Sequence, residues 1–119
     1  MDQPRAITAL AALAQETRLA LFRLLVSRGP TGLPAGAIAE HLAVAPSSLS
    51  FHLQHLAHAG LITQRRRGRQ LIYAAEYRAM NELLTYLTEN CCGRGAVGAP
   101  LCDPEDVFAT AGGNRHGCG

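Results

Sequence analysis

Three of the four cysteines of this chain lie close together, in the stretch ENCCGRGAVGAPLC. Cys91 and Cys92 are adjacent, and Cys102 follows after nine intervening residues that include three glycines. Thiolates bind soft ions, and they also take part in disulfide exchange. Because the entropic cost of closing a loop rises only with the logarithm of its length, the third sulfur can reach the first two. The spacing therefore indicates a soft-ion site or a redox-active thiol cluster.

The number of sulfurs separates the candidate occupants of such a site. Zinc is usually held by four ligands in a tetrahedron, whereas trivalent arsenic or antimony keeps a lone pair and takes three sulfurs. Three cysteines match As(III) or Sb(III) directly, while a zinc or cadmium site needs a fourth ligand, which Cys118 or His116 offers. A regulatory disulfide and cysteines without a function are the other interpretations. Cys118 lies between two glycines near the end, and we expect that it is not required.

A second group of notable residues is basic. All 11 basic residues are arginines, and no acidic residue lies between Glu40 and Glu76. Four arginines fall within five positions of that stretch: Arg65, Arg66, Arg67 and Arg69. In a chain of formal net charge +2, a local basic cluster predicts a polyanionic partner, although a solvated basic surface has the same composition.

The elements that position these residues follow from the apolar periodicity. Stripes at helical spacing predict helices over 5–14, 17–27, 34–42, 47–59 and 77–90. Residues 61–66 and 70–75 read as two strands of a hairpin, with Arg67 and Gly68 as its turn. Residues 1–92 are thus predicted to form one mainly α domain with a small β-hairpin, in the order α-α-α-α-β-β-α. Residues 93–119 contain seven glycines, and we expect a flexible tail that contributes Cys102.

Two helices joined by a three-residue turn and followed by a basic hairpin have the order of a winged helix-turn-helix. In such a unit the helix over 47–59 enters the major groove, and the arginine-rich hairpin reaches phosphates or a narrow minor groove. Gln54 can bond to adenine, and Phe51 can pack on a thymine methyl group. The predicted DNA-binding residues of the helix are Ser47, Ser48, Ser50, Phe51, His52, Gln54 and His55. The alternatives are that the first two serines cap the helix, and that its histidines form a metal site, which their three-residue spacing disfavours.

Four segments within about residues 8–90 carry the pattern of a known family: TRLALFRLL, IAEHL, SSLSFHLQHLAHAGLI and RRGRQLIYAA. In combination, they resemble the ArsR/SmtB family of winged-helix metalloregulatory repressors. The resemblance implies a homodimer, built mainly from the first and last helices, that binds a pseudo-palindromic operator in double-stranded DNA. Both helices carry apolar stripes, and the predicted interface residues are Ile7, Leu10, Met80, Leu83, Leu84 and Leu87.

The resemblance also implies a sensor for a soft metal or metalloid, whose site varies between branches of the family. The cysteines that some arsenic sensors carry on the helix before the groove-binding helix, here 47–59, are absent from AGAIAEHL. The His and Asp ligands of zinc sensors are absent from YRAMNELLTYLTEN. The order LTENCC followed by Cys102 looks like an arsenic-responsive branch with cysteines at the end of the last helix. The resemblance therefore implies Cys91, Cys92 and Cys102 as ligands of As(III) or Sb(III), without an organic cofactor.

We expect a cytoplasmic transcriptional repressor that leaves its operator when the metalloid binds. The alternatives are a Zn(II)-, Cd(II)- or thiol-redox-sensing repressor and a DNA-binding protein without an inducer. A small thiol reductase is disfavoured, because Cys91 and Cys92 follow the C-terminal end of a predicted helix, where the dipole disfavours a thiolate. The chain also lacks a C-x-x-C motif, a membrane-length apolar run and a signal-peptide pattern.

Overall fold

The computed structural model describes residues 1–90; the predicted tail 93–119 and the predicted thiol ligands Cys91, Cys92, Cys102 and Cys118 lie outside the described residues. The elements are α1 (Gln3–Leu13), α2 (Glu16–Arg28), β1 (Leu33–Pro34), α3 (Ala35–Leu42), α4 (Pro46–His58), β2 (Ile62–Arg67), β3 (Gln70–Ala75) and α5 (Tyr77–Thr88). The three strands form one antiparallel sheet in the order β1-β3-β2. Met1–Leu83 form one compact unit, and a second unit begins at Leu84. No helix within residues 1–90 is long and apolar enough to cross a membrane.

The sheet contains one strand that the apolar periodicity does not reveal. β1 has only two residues, and a segment that short shows no alternation. It pairs with β3, where Leu33 lies opposite Tyr73. Gly32 precedes it with a φ of 70°, and a Cβ at this position would overlap the carbonyl oxygen of Tyr73. A glycine is therefore needed here, because only glycine permits both the positive φ and the close approach of β3.

The hairpin turn lies one residue further along the chain than the sequence predicts. Arg67 is the last residue of β2 and pairs with Gln70, so Gly68 and Arg69 form the turn. Gly68 has a φ of 63°, which lies in the left-handed region that glycine tolerates. Two-residue hairpin turns need a positive φ at their first central residue, and this register places the glycine there.

The core fixes α4 against the rest of the domain. The sequence predicts an apolar stripe of Leu49, Leu53 and Leu56 on this helix, and all three side chains are buried. α2 contacts α4 and buries Leu21 and Leu25 completely. Because the full burial of one leucine stabilises a fold by about 1.5–3 kcal/mol, this stripe holds one side of α4 firmly. The opposite side of α4 is consequently left to solvent or to a partner.

Candidate nucleic-acid interface

The helix-turn-helix consists of α3, α4 and the connection over residues 43–45. Ala43 adopts the left-handed conformation, with φ 56° and ψ 45°, and its N–H donates to the carbonyl oxygen of Glu40 at 3.3 Å. Pro46 opens α4, where the missing N–H of proline leaves no unpaired donor. The N-cap residue is Ala45, which forms no side-chain cap bond, so the alternative in which Ser47 and Ser48 cap the helix is wrong.

The side chains predicted to read bases lie mainly on the exposed side of α4, which we call the recognition helix. Six of the seven are exposed: Ser47, Ser48, Ser50, Phe51, Gln54 and His55. The Phe51 side chain is 56% exposed, and its ring centroid lies 5.1 Å from that of His55. An aromatic ring in this position has room to pack on a thymine methyl group. The seventh residue, His52, is half-buried.

A groove of about 1050 Å³ runs beside the recognition helix, between α4, α1 and the start of β2. Phe51, Gln54 and His55 line its α4 side, and Ile7 lines its α1 side. Gln64 of β2 also contributes to the lining. Three of the predicted base-reading side chains therefore share one concave surface, which continues onto β2, the first strand of the β2–β3 hairpin that we call the wing.

The four wing arginines have different surroundings. Arg65 donates from Nη2 to the carbonyl oxygen of Thr31 at 2.9 Å and from Nη1 to that of Pro30 at 3.3 Å. Arg66 lies on the opposite face of β2, because successive side chains of a strand alternate. Within residues 1–90, no hydrogen bond or ion pair involves the side chains of the other three arginines: Arg66, Arg67 and Arg69. These three are exposed, and they can contact phosphates, while Arg65 ties the wing to the loop after α2.

Arg18 reaches the recognition helix, although no sequence pattern indicates it as a site residue. Its Nε donates to the carbonyl oxygen of Ala12 at 2.7 Å, and its Nη1 lies 3.3 Å from Nδ1 of His52. Burial, together with the positive charge of Arg18 and a smaller effect of His55, lowers the pKa of His52 below its ordinary value. Arg18 belongs to the TRL segment, but periodicity alone predicts only that a charged residue of α2 faces solvent.

Comparisons with known proteins agree with this geometry. A helix-turn-helix domain model matches residues 13–65. A solved protein described as a possible transcriptional regulator for arsenical resistance is 30% identical, with 66% of this chain and 79% of that chain covered and a TM-score of 0.58. The homodimeric winged helix-turn-helix DNA-binding domain of Mb0332 from Mycobacterium bovis, a possible ArsR-family regulator, is 27% identical, with coverages of 73% and 81% and a TM-score of 0.59.

This chain belongs to the ArsR family of winged-helix transcriptional regulators. HlyU from Vibrio cholerae N16961 is also similar, at 32% identity, with 73% of this chain and 97% of that chain covered and a TM-score of 0.58. A second structure, described as reduced HlyU, is 34% identical, with coverages of 71% and 88% and a TM-score of 0.54. No curated protein sequence matches the chain. The predicted family and winged helix-turn-helix fold are thereby confirmed.

In this ArsR-family protein, α1 presents its bulkier apolar side chains outward. The side chains of α1 in the core are small: Ala6, Ala9 and Ala12. Ile7 and Leu10, by contrast, are 56% and 41% exposed. Exposed aliphatic side chains one helical turn apart form a short apolar stripe on the outside of the helix. Both residues belong to the predicted dimer interface.

The apolar side chains of α5 fall into two groups. Leu83 is buried, and Met80 is half-buried. Leu84 and Leu87 are 47% and 53% exposed. Of the four α5 residues predicted to form the dimer interface, these last two have the most surface to offer, while Leu83 already contributes to the core of its own chain.

The described part of the ArsR-family protein holds no metal-ligand cluster. Within residues 1–90, no group of three or more His, Cys, Asp or Glu side chains is placed to hold a metal ion. This includes the histidines of the recognition helix. The predicted thiol ligands Cys91, Cys92 and Cys102 lie outside this part of the chain.

Proposed function

We propose that this ArsR-family regulator is an As(III)- or Sb(III)-responsive repressor, whose metalloid-free homodimer binds operator DNA. The observation that carries the DNA-binding part is the exposed, polar side of the recognition helix together with three exposed wing arginines on the same compact unit. The inducer follows from sequence chemistry, because Cys91, Cys92 and Cys102 follow α5 in the sequence. They match the number of sulfurs that trivalent arsenic takes.

The homodimer is supported by apolar surface on two helices. Ile7 and Leu10 are exposed on α1, and Leu84 and Leu87 are exposed on α5. The related domain from Mycobacterium bovis is described as homodimeric. Two-fold symmetry places two recognition helices on successive turns of one DNA face. The operator is therefore expected to be a pseudo-palindrome with half-sites about one helical turn, or a multiple of that, apart.

Release of the operator requires that metalloid binding favours a dimer geometry that fits DNA less well. The candidate ligands Cys91 and Cys92 follow α5 in sequence, and α5 is part of the proposed dimer interface. A metalloid that draws Cys102 to this pair would change the end of that interface and, through it, the spacing of the two recognition helices. A hundredfold loss of DNA affinity corresponds to about 2.8 kcal/mol of coupling, and DNA must weaken metalloid binding by the same factor.

The test is a titration of the protein into fluorescein-labelled operator DNA, with and without As(III), under reducing conditions. Wild-type protein and Cys118→Ser should lose operator affinity when As(III) is added, whereas Cys91→Ser, Cys92→Ser and Cys102→Ser should not. A binding curve that As(III) leaves unmoved contradicts the metalloid-sensing proposal. If Cys102→Ser responds fully to As(III), the third sulfur is not needed. That result would favour a two-sulfur site that suits an organoarsenical.

A thiol-redox-sensing repressor is the second candidate, because the relative HlyU has been solved in a form described as reduced. The same titration separates the two functions. In the redox case, a mild oxidant releases the operator and a reductant restores binding, while As(III) under reducing conditions has no effect. Mass spectrometry of the released protein then shows a disulfide between two of the three clustered cysteines, rather than three thiols and one bound arsenic.

A further inference from the structure

A single side chain joins the end of α1 to the middle of the recognition helix. Arg18 lies in the first turn of α2, and the side chain of Gln15 caps its N–H at 2.8 Å. Its guanidinium donates to the carbonyl oxygen of Ala12, in the last turn of α1, and contacts the imidazole of His52 in α4. One half-buried cation is therefore bonded to two elements other than its own.

This cation has no acidic partner in the described part of the chain. The one ion pair formed among residues 1–90 joins Arg5 and Glu82, on α1 and α5. Both acceptors of Arg18, a carbonyl oxygen and an imidazole nitrogen, are uncharged. A half-buried charge without a counterion is costly when its only purpose is to connect helices, since a neutral donor would make the same bonds at a lower desolvation penalty. The arrangement indicates that the positive charge itself has a use.

The contact also determines the protonation of His52. A guanidinium has five N–H donors and no acceptor, so Nδ1 of His52 must accept the bond with its lone pair. The ring is then neutral and carries its proton on Nε2. Burial, the positive charge of Arg18 from α2 and, least, the imidazole of His55 one turn further along α4 oppose a second proton and lower the pKa of His52. His52 consequently presents one acceptor to the protein and keeps one donor for another partner.

We propose that Arg18 is a positioning residue for DNA recognition, which holds His52 as the neutral tautomer whose Nε2–H donates to an acceptor atom of the operator. His52 lies on the recognition helix, between the exposed side chains Phe51 and His55, and its ring packs edge-on to Phe51 at 5.8 Å. The inference rests on the DNA-binding part of the proposed function and is independent of the inducer. A fixed neutral donor discriminates between acceptors and donors on DNA, whereas a mobile imidazolium is attracted to any phosphate.

Two pairs of variants test this assignment in the reduced full-length protein. Arg18→Met removes the donor and the charge, and Arg23→Met is its matched control, because Arg23 is exposed on the same helix and makes no side-chain bond within residues 1–90. His52→Gln loses the Nδ1 acceptor but keeps a donor near the position of Nε2, and its amide needs no partner to fix a tautomer. His52→Asn keeps an acceptor near Nδ1 and loses the distal donor.

The DNA probe is a duplex of about 30 base pairs that wild-type protein selects from a random library, which is long enough for two half-sites. We expect Arg18→Met to bind it about tenfold more weakly than Arg23→Met, which corresponds to about 1.4 kcal/mol. We expect His52→Gln to remain within about threefold of wild type, or about 0.7 kcal/mol, and His52→Asn to lose about tenfold. The affinity of Arg18→Met should also rise as the pH falls below about 6.5, because phosphates then favour the protonated imidazole.

The pH dependence of Arg18→Met binding is a readout that a purely structural role would not move, and nitrogen-15 NMR of wild-type protein tests the tautomer without depending on whether a variant folds. The spectrum should show a proton on Nε2 and a free lone pair on Nδ1 of His52. A proton on Nδ1, or equal affinities of Arg18→Met and Arg23→Met for the selected duplex, would overturn the inference alone. If wild-type protein selects no duplex at all, the proposed repressor function fails instead.

Discussion

The wing arginines differ in the hydrogen bonds of their side chains. This difference predicts that two neighbouring substitutions affect different properties, one DNA binding and the other stability. Arg65 is bonded to the carbonyl oxygens of Pro30 and Thr31. Arg66 points to the other face of β2 and is exposed. We expect Arg66→Gln to weaken DNA binding with little change in stability. Arg65→Gln should lower the free energy of unfolding and affect DNA binding mainly through the placement of the wing.

The expected magnitude for Arg66→Gln follows from counterion release. Each phosphate contact contributes about 0.9 to the slope of log affinity against log salt concentration. The proposed dimer carries two copies, so the slope should become less negative by about 1.8. With about 1 kcal/mol for each exposed charge contact, the affinity at low salt should fall by about thirtyfold.

For Arg65→Gln the relevant quantity is the loss of two hydrogen bonds to neutral carbonyl groups. Such bonds contribute about 0.5–1.5 kcal/mol each, and the lower part of this range applies to an exposed side chain. The free energy of unfolding should therefore decrease by about 1 kcal/mol, while the salt slope stays that of wild type.

One set of measurements checks both expectations: fluorescence anisotropy with labelled operator over a salt series, and urea denaturation without DNA. Arg66→Lys is the matched control, because it keeps the positive charge and should therefore keep the salt slope. The reasoning is refuted if Arg65→Gln reduces the salt slope as much as Arg66→Gln does, because Arg65 would then contact phosphate despite its bonds to the loop.

Three further predictions concern the turn, the recognition helix and the outer side of α1. Ala43→Gly should raise the free energy of unfolding by about 0.5–1 kcal/mol in urea denaturation, because an alanine at φ 56° is strained and glycine is not; Ala37→Gly, inside α3, is the control and should lower it by about the same amount. Because the pKa of His52 is lowered in the folded state, unfolding takes up a proton below about 6.5, so stability should be full above pH 6.5 and fall as the pH decreases further. His52→Asn should make that decrease shallower, and an unaltered pH profile would show that His52 does not cause it. The double substitution Ile7→Glu with Leu10→Glu should shift the protein from dimer to monomer in analytical ultracentrifugation, and a dimer that survives it would place the interface elsewhere.

The helices and the hairpin could be predicted from sequence because each has a local signal. The stripe of Leu49, Leu53 and Leu56 indicates both a helix and its buried side, and the structure confirms both. β1 could not be predicted, because a two-residue strand is defined by its pairing with β3 and has no pattern of its own. The predicted hairpin turn was wrong by one position, because the RRRG segment does not show whether Gly68 is the first or the second residue of the turn. Only the pairing of Arg67 with Gln70 decides it.

Helical spacing predicted which side chains of the recognition helix are exposed, but it did not predict the contacts in which a side chain bonds to another element. Helical spacing identifies which positions of α4 are exposed, since the buried leucines leave the rest outside. It does not show that Arg18, more than thirty positions earlier in sequence, reaches His52. Nor does a run of arginines show that one of them bonds to a loop before the helix-turn-helix. These contacts depend on how α2 and the hairpin pack, and no local pattern encodes that packing.

The number of wing arginines in the sequence is therefore larger than the number that can contact DNA phosphates. Four wing arginines in each protomer would contribute about 7 to the salt slope of a dimer if all of them met phosphates. Arg65 is bonded to the loop at Pro30 and Thr31, so the wing contribution has an upper limit of about 5. Arg18 adds to the positive potential beside the recognition helix, but its guanidinium donates to protein acceptors. In this domain some arginines orient the DNA-reading elements, while others remain free to bind DNA.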